Sequence, residues 1–250
     1  MGAIKAAVAD GVLTFMWVFS ISSLGTLNSL LTAALPVPHH HHWWSSLLTT
    51  TCLVCVFLFV FGIIGHALGG ATFNPTATAA FHAVGLGGSN SLYSTALRFP
   101  AQAVGAVGGA LAIQEFMPAQ YKHMLGGPSL KVDLHTGAIA EGVLTFVITF
   151  LVLGIVLKGP KSPIVKNFLI AVCTVALVIA GSGYTGPSMN PANAFGWAYV
   201  NKRHDTWEQF YVYWICPFVG AILAAWTFRW VFPAASGGGP KKTSAKKKKA

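Results

Sequence analysis

From Gly11 to Leu97 the chain contains no Asp, Glu, Lys or Arg. One bilayer span needs roughly 20 apolar residues, so several spans must lie inside this stretch. Composition points the same way: of 250 residues, 54% are hydrophobic and 9% charged, against about 25% charged in soluble domains. Mean hydropathy is +0.62. A cytosolic enzyme is excluded on these grounds, and so is a nucleic-acid-binding module. The net charge of +10 does not reopen that reading, because Lys241, Lys242, Lys246, Lys247, Lys248 and Lys249 crowd the last ten residues and leave only +4 for the rest. A nucleic-acid face needs basic residues interleaved with aromatics on a folded surface, and none is visible.

Apolar segments bounded by Gly, Pro or polar clusters predict six spans, at about 6–35, 47–68, 93–116, 137–157, 167–183 and 210–232. The first is too long for a cleaved signal core and has no small-residue cleavage site after it, so it reads as a retained span. Two further apolar segments, about 75–85 and 191–200, are too short to cross. Cys52, Cys55, Cys173 and Cys216 all fall in apolar segments. The Cys52-Leu-Val-Cys55 spacing has no second pair, so the cysteines read as structural and no metal site is expected.

The chain repeats itself. Ala9-Asp10-Gly11-Val12-Leu13-Thr14-Phe15 returns as Ala140-Glu141-Gly142-Val143-Leu144-Thr145-Phe146, and Asn74-Pro75-Thr76 returns as Asn190-Pro191-Ala192. Each half holds three spans and one short Asn-Pro segment. Three is odd, so the second half enters the membrane from the opposite face, giving an inverted repeat. The fold expected is an all-α polytopic membrane protein with six transmembrane helices and two re-entrant half-helices. Its channel domain covers 1–235, with repeats at about 6–116 and 137–232, and 236–250 is a disordered Lys-rich tail. Lys5, the loop with Lys158, Lys161 and Lys166, and the tail share one side, which the positive-inside rule makes cytoplasmic.

Asn followed by Pro is an N-cap followed by N1 of a helix. Glycines upstream (Gly65, Gly69 and Gly70; Gly181, Gly183 and Gly186) let the chain turn at depth. Irregular backbone at that depth must be buried or line a wet cavity. The inverted symmetry brings the two N-termini together near the midplane, where two positive dipole ends and the amides of Asn74 and Asn190 face one spot. A neutral hydroxylic molecule can accept there, while a cation or hydronium is repelled. Carbonyls near Gly69 to Phe73 and Gly186 to Met189 would supply the acceptors of a polar track.

These paired boxes, with an acidic Ala-Asp/Glu-x-x-x-Thr-Phe element opening each half, resemble the aquaporin (major intrinsic protein) family over nearly the whole chain. Asn74-Pro75-Thr76 in place of the first Asn-Pro-Ala, the small size and the lysine-rich tail resemble its plant small basic intrinsic proteins. The resemblance implies a water channel assembled as a homotetramer, with one pore per protomer and no cofactor. It also implies a selectivity constriction at Val54 (or Leu53), Val178, Pro187 and Asn193, where water-selective members place an aromatic residue, a His and an Arg. This chain has none of the three, so exclusion would rest on the midplane dipoles.

Two readings stand for the buried acids Asp10 and Glu141: a proton or ion relay, or hydrogen-bonded bracing of the re-entrant loops. Bracing is also what the resemblance implies for Glu141. His66 is expected to line the pore or brace a loop, the run His39 to His42 to be solvated, and Trp43 and Trp44 to anchor at the interface. Lys247-Lys248-Lys249-Ala250 resembles a dilysine endoplasmic reticulum retrieval signal, and the resembled group is associated with that membrane. The expected partners are water, small neutral solutes and lipid. No catalytic constellation is visible. The alternatives are a gated or non-conducting scaffold of the same fold, and a coupled transporter, which would ordinarily place charged residues at the midplane.

Overall fold

A computed structural model describes residues 2–36, 42–86 and 91–233. His39 to His41 and the lysine tail lie outside the described residues. Among those residues the chain is all-helical, with six helical stretches long and apolar enough to span a membrane. In order they are α1 (Ala3–Ile21) with α2 (Leu24–Ala34), α3 (His42–Ala67), α5 (Leu92–Phe116), α6 (Leu134–Lys158), α7 (Pro163–Gly181), and α9 (Trp207–Phe210) with α10 (Cys216–Val231). Two short helices, α4 (Pro75–Ala83) and α8 (Pro191–Val200), occupy the Asn-Pro segments.

The closest helix pairs are α1 with α5 and α6 with α10, the same pair in each repeat. Missing side chains explain how close they come. A Cβ on Gly105 would strike the backbone of Gly11, and one on Gly220 would strike the backbone of Gly142. In lipid, where the hydrophobic effect does not drive helices together, such backbone approach supplies the packing. Around the crossings, Leu13, Trp17, Val18, Ala106 and Trp197 form the core of one half. Leu153, Ala221, Ala225 and Phe228 form that of the other. Outward faces carry exposed apolar side chains such as Val104 and Ile139.

Three departures from the sequence reading have physical causes. The first span is broken at Ser22 and Ser23, whose hydroxyls donate back to Val18 O (2.6 Å) and Ser20 O (2.7 Å). Such local bonds compete with the helical ladder. The sixth span contains a π-helical turn over Tyr211–Ile215 directly before Pro217. Proline has no N–H and crowds the carbonyl four residues back, which shifts the local register. Within the loop after α5, Ala119–Met124 forms a 3₁₀ turn.

Candidate transmembrane pore

Each half-helix is capped by its own asparagine. Asn74 Oδ1 accepts from Thr76 N at 3.0 Å, and Asn190 Oδ1 accepts from Ala192 N at 3.1 Å and Asn193 N at 3.4 Å. With the oxygens held by their own helices, the amide nitrogens cross to the other repeat. Asn74 Nδ2 donates to Met189 O at 2.9 Å, and Asn190 Nδ2 donates to Phe73 O at 3.0 Å. A side-chain amide nitrogen carries two protons, so each asparagine keeps one to offer a molecule beside it. Both line a cavity of about 720 Å³.

That cavity runs past both asparagines. Its lining reaches from Trp43 at the start of α3, and Leu24 at the start of α2, to Val156 near the far end of α6. Val54, Val178, Pro187 and Asn193 all contribute to its lining, and Leu53 does not. Pro75, Pro191 and Ala192 are buried in the half-helix packing behind it. Thr76 is buried too, its hydroxyl donating to Asn74 Oδ1 at 2.8 Å.

The two acids hold the loops that precede the boxes. Glu141 is fully buried and accepts from Ser188 N at 2.8 Å, Met189 N at 3.1 Å and the Thr185 hydroxyl at 3.0 Å. Its carboxylate thereby ties down Met189, whose φ of 48° is rare for a residue with a side chain. Asp10, also fully buried, accepts from Thr72 N at 2.9 Å. It further receives the Arg98 guanidinium through two bonds of 2.6 Å and Gln102 Nε2 at 2.8 Å.

Sequence reasoning missed Arg98 and Gln102. The signal was available: Arg98 is the one cation inside the third apolar segment, and an ionisable group at membrane depth calls for a partner. The repeat places Tyr213 where the first half has Arg98, and Tyr213 instead donates to Thr185 O at 3.2 Å. The two acids therefore do the same bracing in different company, one paired with a cation and one held by neutral donors.

His66 corrects the sequence reading. Its side chain is on the exposed face of α3 and does not line the cavity, because the helical turn gives that direction to Gly65. Only its backbone carbonyl contributes to the loop, accepting from Gly69 N at 2.9 Å. The expected carbonyl track is also partly taken: Gly70 O receives Arg98, Thr72 O receives Gln102, and Phe73 O and Met189 O receive the crossing asparagines.

Fold and site together define a polytopic membrane channel of two inverted halves whose short helices meet tip to tip. The family described as Major intrinsic protein matches residues 1–228, and the chain belongs to that family, the family of the aquaporins. Within it the chain sits with the small basic intrinsic proteins. It is 62% identical over 235 residues to Aquaporin SIP1-1 of Oryza sativa subsp. japonica, covering 93% of this chain and 95% of that protein. Aquaporin SIP1-2 of Zea mays is 62% identical over 245 residues, 98% of each chain. Aquaporin SIP1-1 of Arabidopsis thaliana is 49% identical over the full length of both. The X-ray structure of the aquaglyceroporin from Plasmodium falciparum superposes with a TM-score of 0.66 over 91% of this chain and 96% of that one, at 16% identity. At that identity the likeness is one of fold. The family is one of channels and not of enzymes.

Proposed function

We propose that the protein conducts water, and small neutral solutes, passively across a membrane. The observation that carries this reading is the continuous cavity running past two asparagines, each with one N–H left to give. A permeating oxygen can accept from Asn74 and Asn190 in turn. A cation at the same spot meets the positive ends of α4 and α8 from both sides, with no carboxylate among the residues lining the cavity to offset them. Val54, Val178, Pro187 and Asn193 form the selectivity constriction. With no Arg or His there, the constriction is less polar, and ion and proton exclusion rests on the half-helix dipoles.

Asp10 and Glu141 act as braces and not as relays in this reading, since every bond they make is to the loop or to the groups that hold it. The protein works as a homotetramer with a pore in each protomer, in the endoplasmic reticulum membrane with both termini cytoplasmic. The basic loop of Lys158, Lys161 and Lys166 supports the cytoplasmic side, and the resemblance of Lys247-Lys248-Lys249-Ala250 to a dilysine retrieval signal supports the membrane.

Stopped-flow light scattering on proteoliposomes tests the reading. Osmotic shrinkage faster than in empty vesicles, with a low activation energy and no dependence on an ion gradient, is the expected result. Shrinkage at the bare-lipid rate from folded protein would favour a gated or non-conducting scaffold, and flux requiring an ion gradient would favour a coupled transporter.

A further inference from the structure

The internal repeat is broken at one place beside the pore. Aligning Gly11 with Gly142 and Asn74 with Asn190 sets Trp17 against Ile148, Val18 against Thr149, Ala192 against Thr76 and Trp197 against Phe81. In the half containing Trp17, all four residues pack into one buried apolar cluster, with the two indoles filling the space. In the other half the smaller Ile148 and Phe81 leave that space open. A chamber of about 80 Å³ results, with Thr76 and Thr149 in its wall. Ile148, Asn74 and Met189 line both this chamber and the main cavity, so the chamber lies alongside the pore at the level of the asparagines.

Polar groups in the chamber are arranged for a guest. Thr149 is only 8% exposed, and no hydrogen bond joins its hydroxyl to a described residue. A hydroxyl on a largely buried side chain gains from any partner that reaches it. The Thr76 hydroxyl points its proton at Asn74 Oδ1 (2.8 Å) and Met189 O (3.3 Å) and keeps its lone pairs free, whereas the Met189 carbonyl is already engaged by Asn74 Nδ2 and that hydroxyl. One donor and the lone pairs of two hydroxyls thus surround a space that exceeds the roughly 10–15 Å³ needed for a water. No charged side chain lines it, so an ion would enter uncompensated.

We propose that this chamber is a lateral binding site at the midplane for neutral, water-sized, hydrogen-bonding molecules, held by the Thr149 hydroxyl and the Thr76 oxygen. It rests on the reading of the main cavity as a water path, and it gives a molecule in that path a place to step aside. Two hydroxyls appear together where the other repeat has Val18 and Ala192, and the two indoles that would fill the space are absent in the same half.

The test is a structure of the full chain in lipid at a resolution that shows ordered water, for the wild type and for Thr149→Val, which keeps the volume and removes the hydroxyl. Ordered density within hydrogen-bond reach of Thr149 in the wild type, lost in Thr149→Val, is the expected result. An empty chamber in the wild type overturns the proposal, and so does density that persists unchanged in the variant. Should Thr149→Val fail to fold, Ile148→Trp serves instead: the indole should fill the chamber and expel the density, and density unmoved by it counts against the site. Osmotic permeability measured on the same wild-type preparation separates this question from the channel reading. An occupied chamber in a non-conducting protein would sink the channel and leave the site.

Discussion

A single carboxylate illustrates what membrane burial demands of a residue. Asp10 sits among five donor contacts from Thr72, Arg98 and Gln102, two of them from the guanidinium at 2.6 Å. Removing one partner of a buried pair strands the other charge, at a cost of about 3–5 kcal/mol. Arg98→Met should therefore lower thermal stability in detergent by that order, and Asp10→Asn with Arg98→Met together should lose less than Arg98→Met alone. A double variant at least as unstable would show that Arg98 contributes through packing. Thr76→Ala, by contrast, should leave water flux nearly unchanged in proteoliposomes. Asn74 Oδ1 caps α4 by accepting from Thr76 N, a bond that alanine keeps, and alanine already stands at the matching Ala192. Loss of most conductance would mean that the hydroxyl itself orients Asn74. At this scale the sequence was partly legible. Buried acids, capping asparagines and the proline after each are local signals, whereas the Asp10–Arg98 pairing joins residues 88 apart and needed the packing of α1 against α5 to become visible. His66 failed for a related reason: which side of α3 faces the cavity depends on helix rotation, and α3 is apolar all round.

Among the elements, the two tightest crossings are also the least forgiving. At Gly105 and Gly220 an added methyl would meet backbone and not a movable side chain, so Gly105→Val should separate α1 from α5 and abolish folded expression. Gly62→Ala is the control, since a Cβ there meets nothing, and an equal loss for both would refute the crossing as the cause. Helix α6 offers a pH-dependent test. Asp133 caps it by accepting from His135 N and Thr136 N, and the bonds to Thr136 first of all hold its carboxyl below the usual carboxylate range. Its stabilisation is then fully present above the ordinary carboxylate pKa and lost as pH falls through the lowered one. Asp133→Ala should melt earlier than wild type at neutral pH, with the gap closing in acid. A gap independent of pH would show that the charge is not what caps the helix. Span positions were legible because hydropathy and helix caps are local. The interruptions at Ser22 and before Pro217 were not, since serine and proline also occur in unbroken membrane helices, as Pro100 does within α5.

For the whole molecule, the proposed constriction is what would decide which solutes pass with water. Asn193 lines the cavity, and its Oδ1 is buried without a hydrogen-bond partner among the described residues. Asn193→Arg should reduce glycerol and urea entry into proteoliposomes while some water flux remains. A rise in solute entry would remove Asn193 from the constriction. The inverted architecture was readable from two repeated motifs, but the shape of the cavity was not, because it depends on how α3 and α7 close against each other. The crossed bonds at the midplane carry a consequence for how the chain is made. Asn74 Nδ2 and Phe73 O find their partners at Met189 O and Asn190 Nδ2, which a ribosome adding about 5–20 residues per second delivers roughly 6–23 seconds later. Until then the first re-entrant loop sits in lipid with a donor and an acceptor unmatched, so the first repeat matures only when the second arrives. An N-terminal half made alone should stay a target for quality control, and supplying the other half as a separate chain should rescue it.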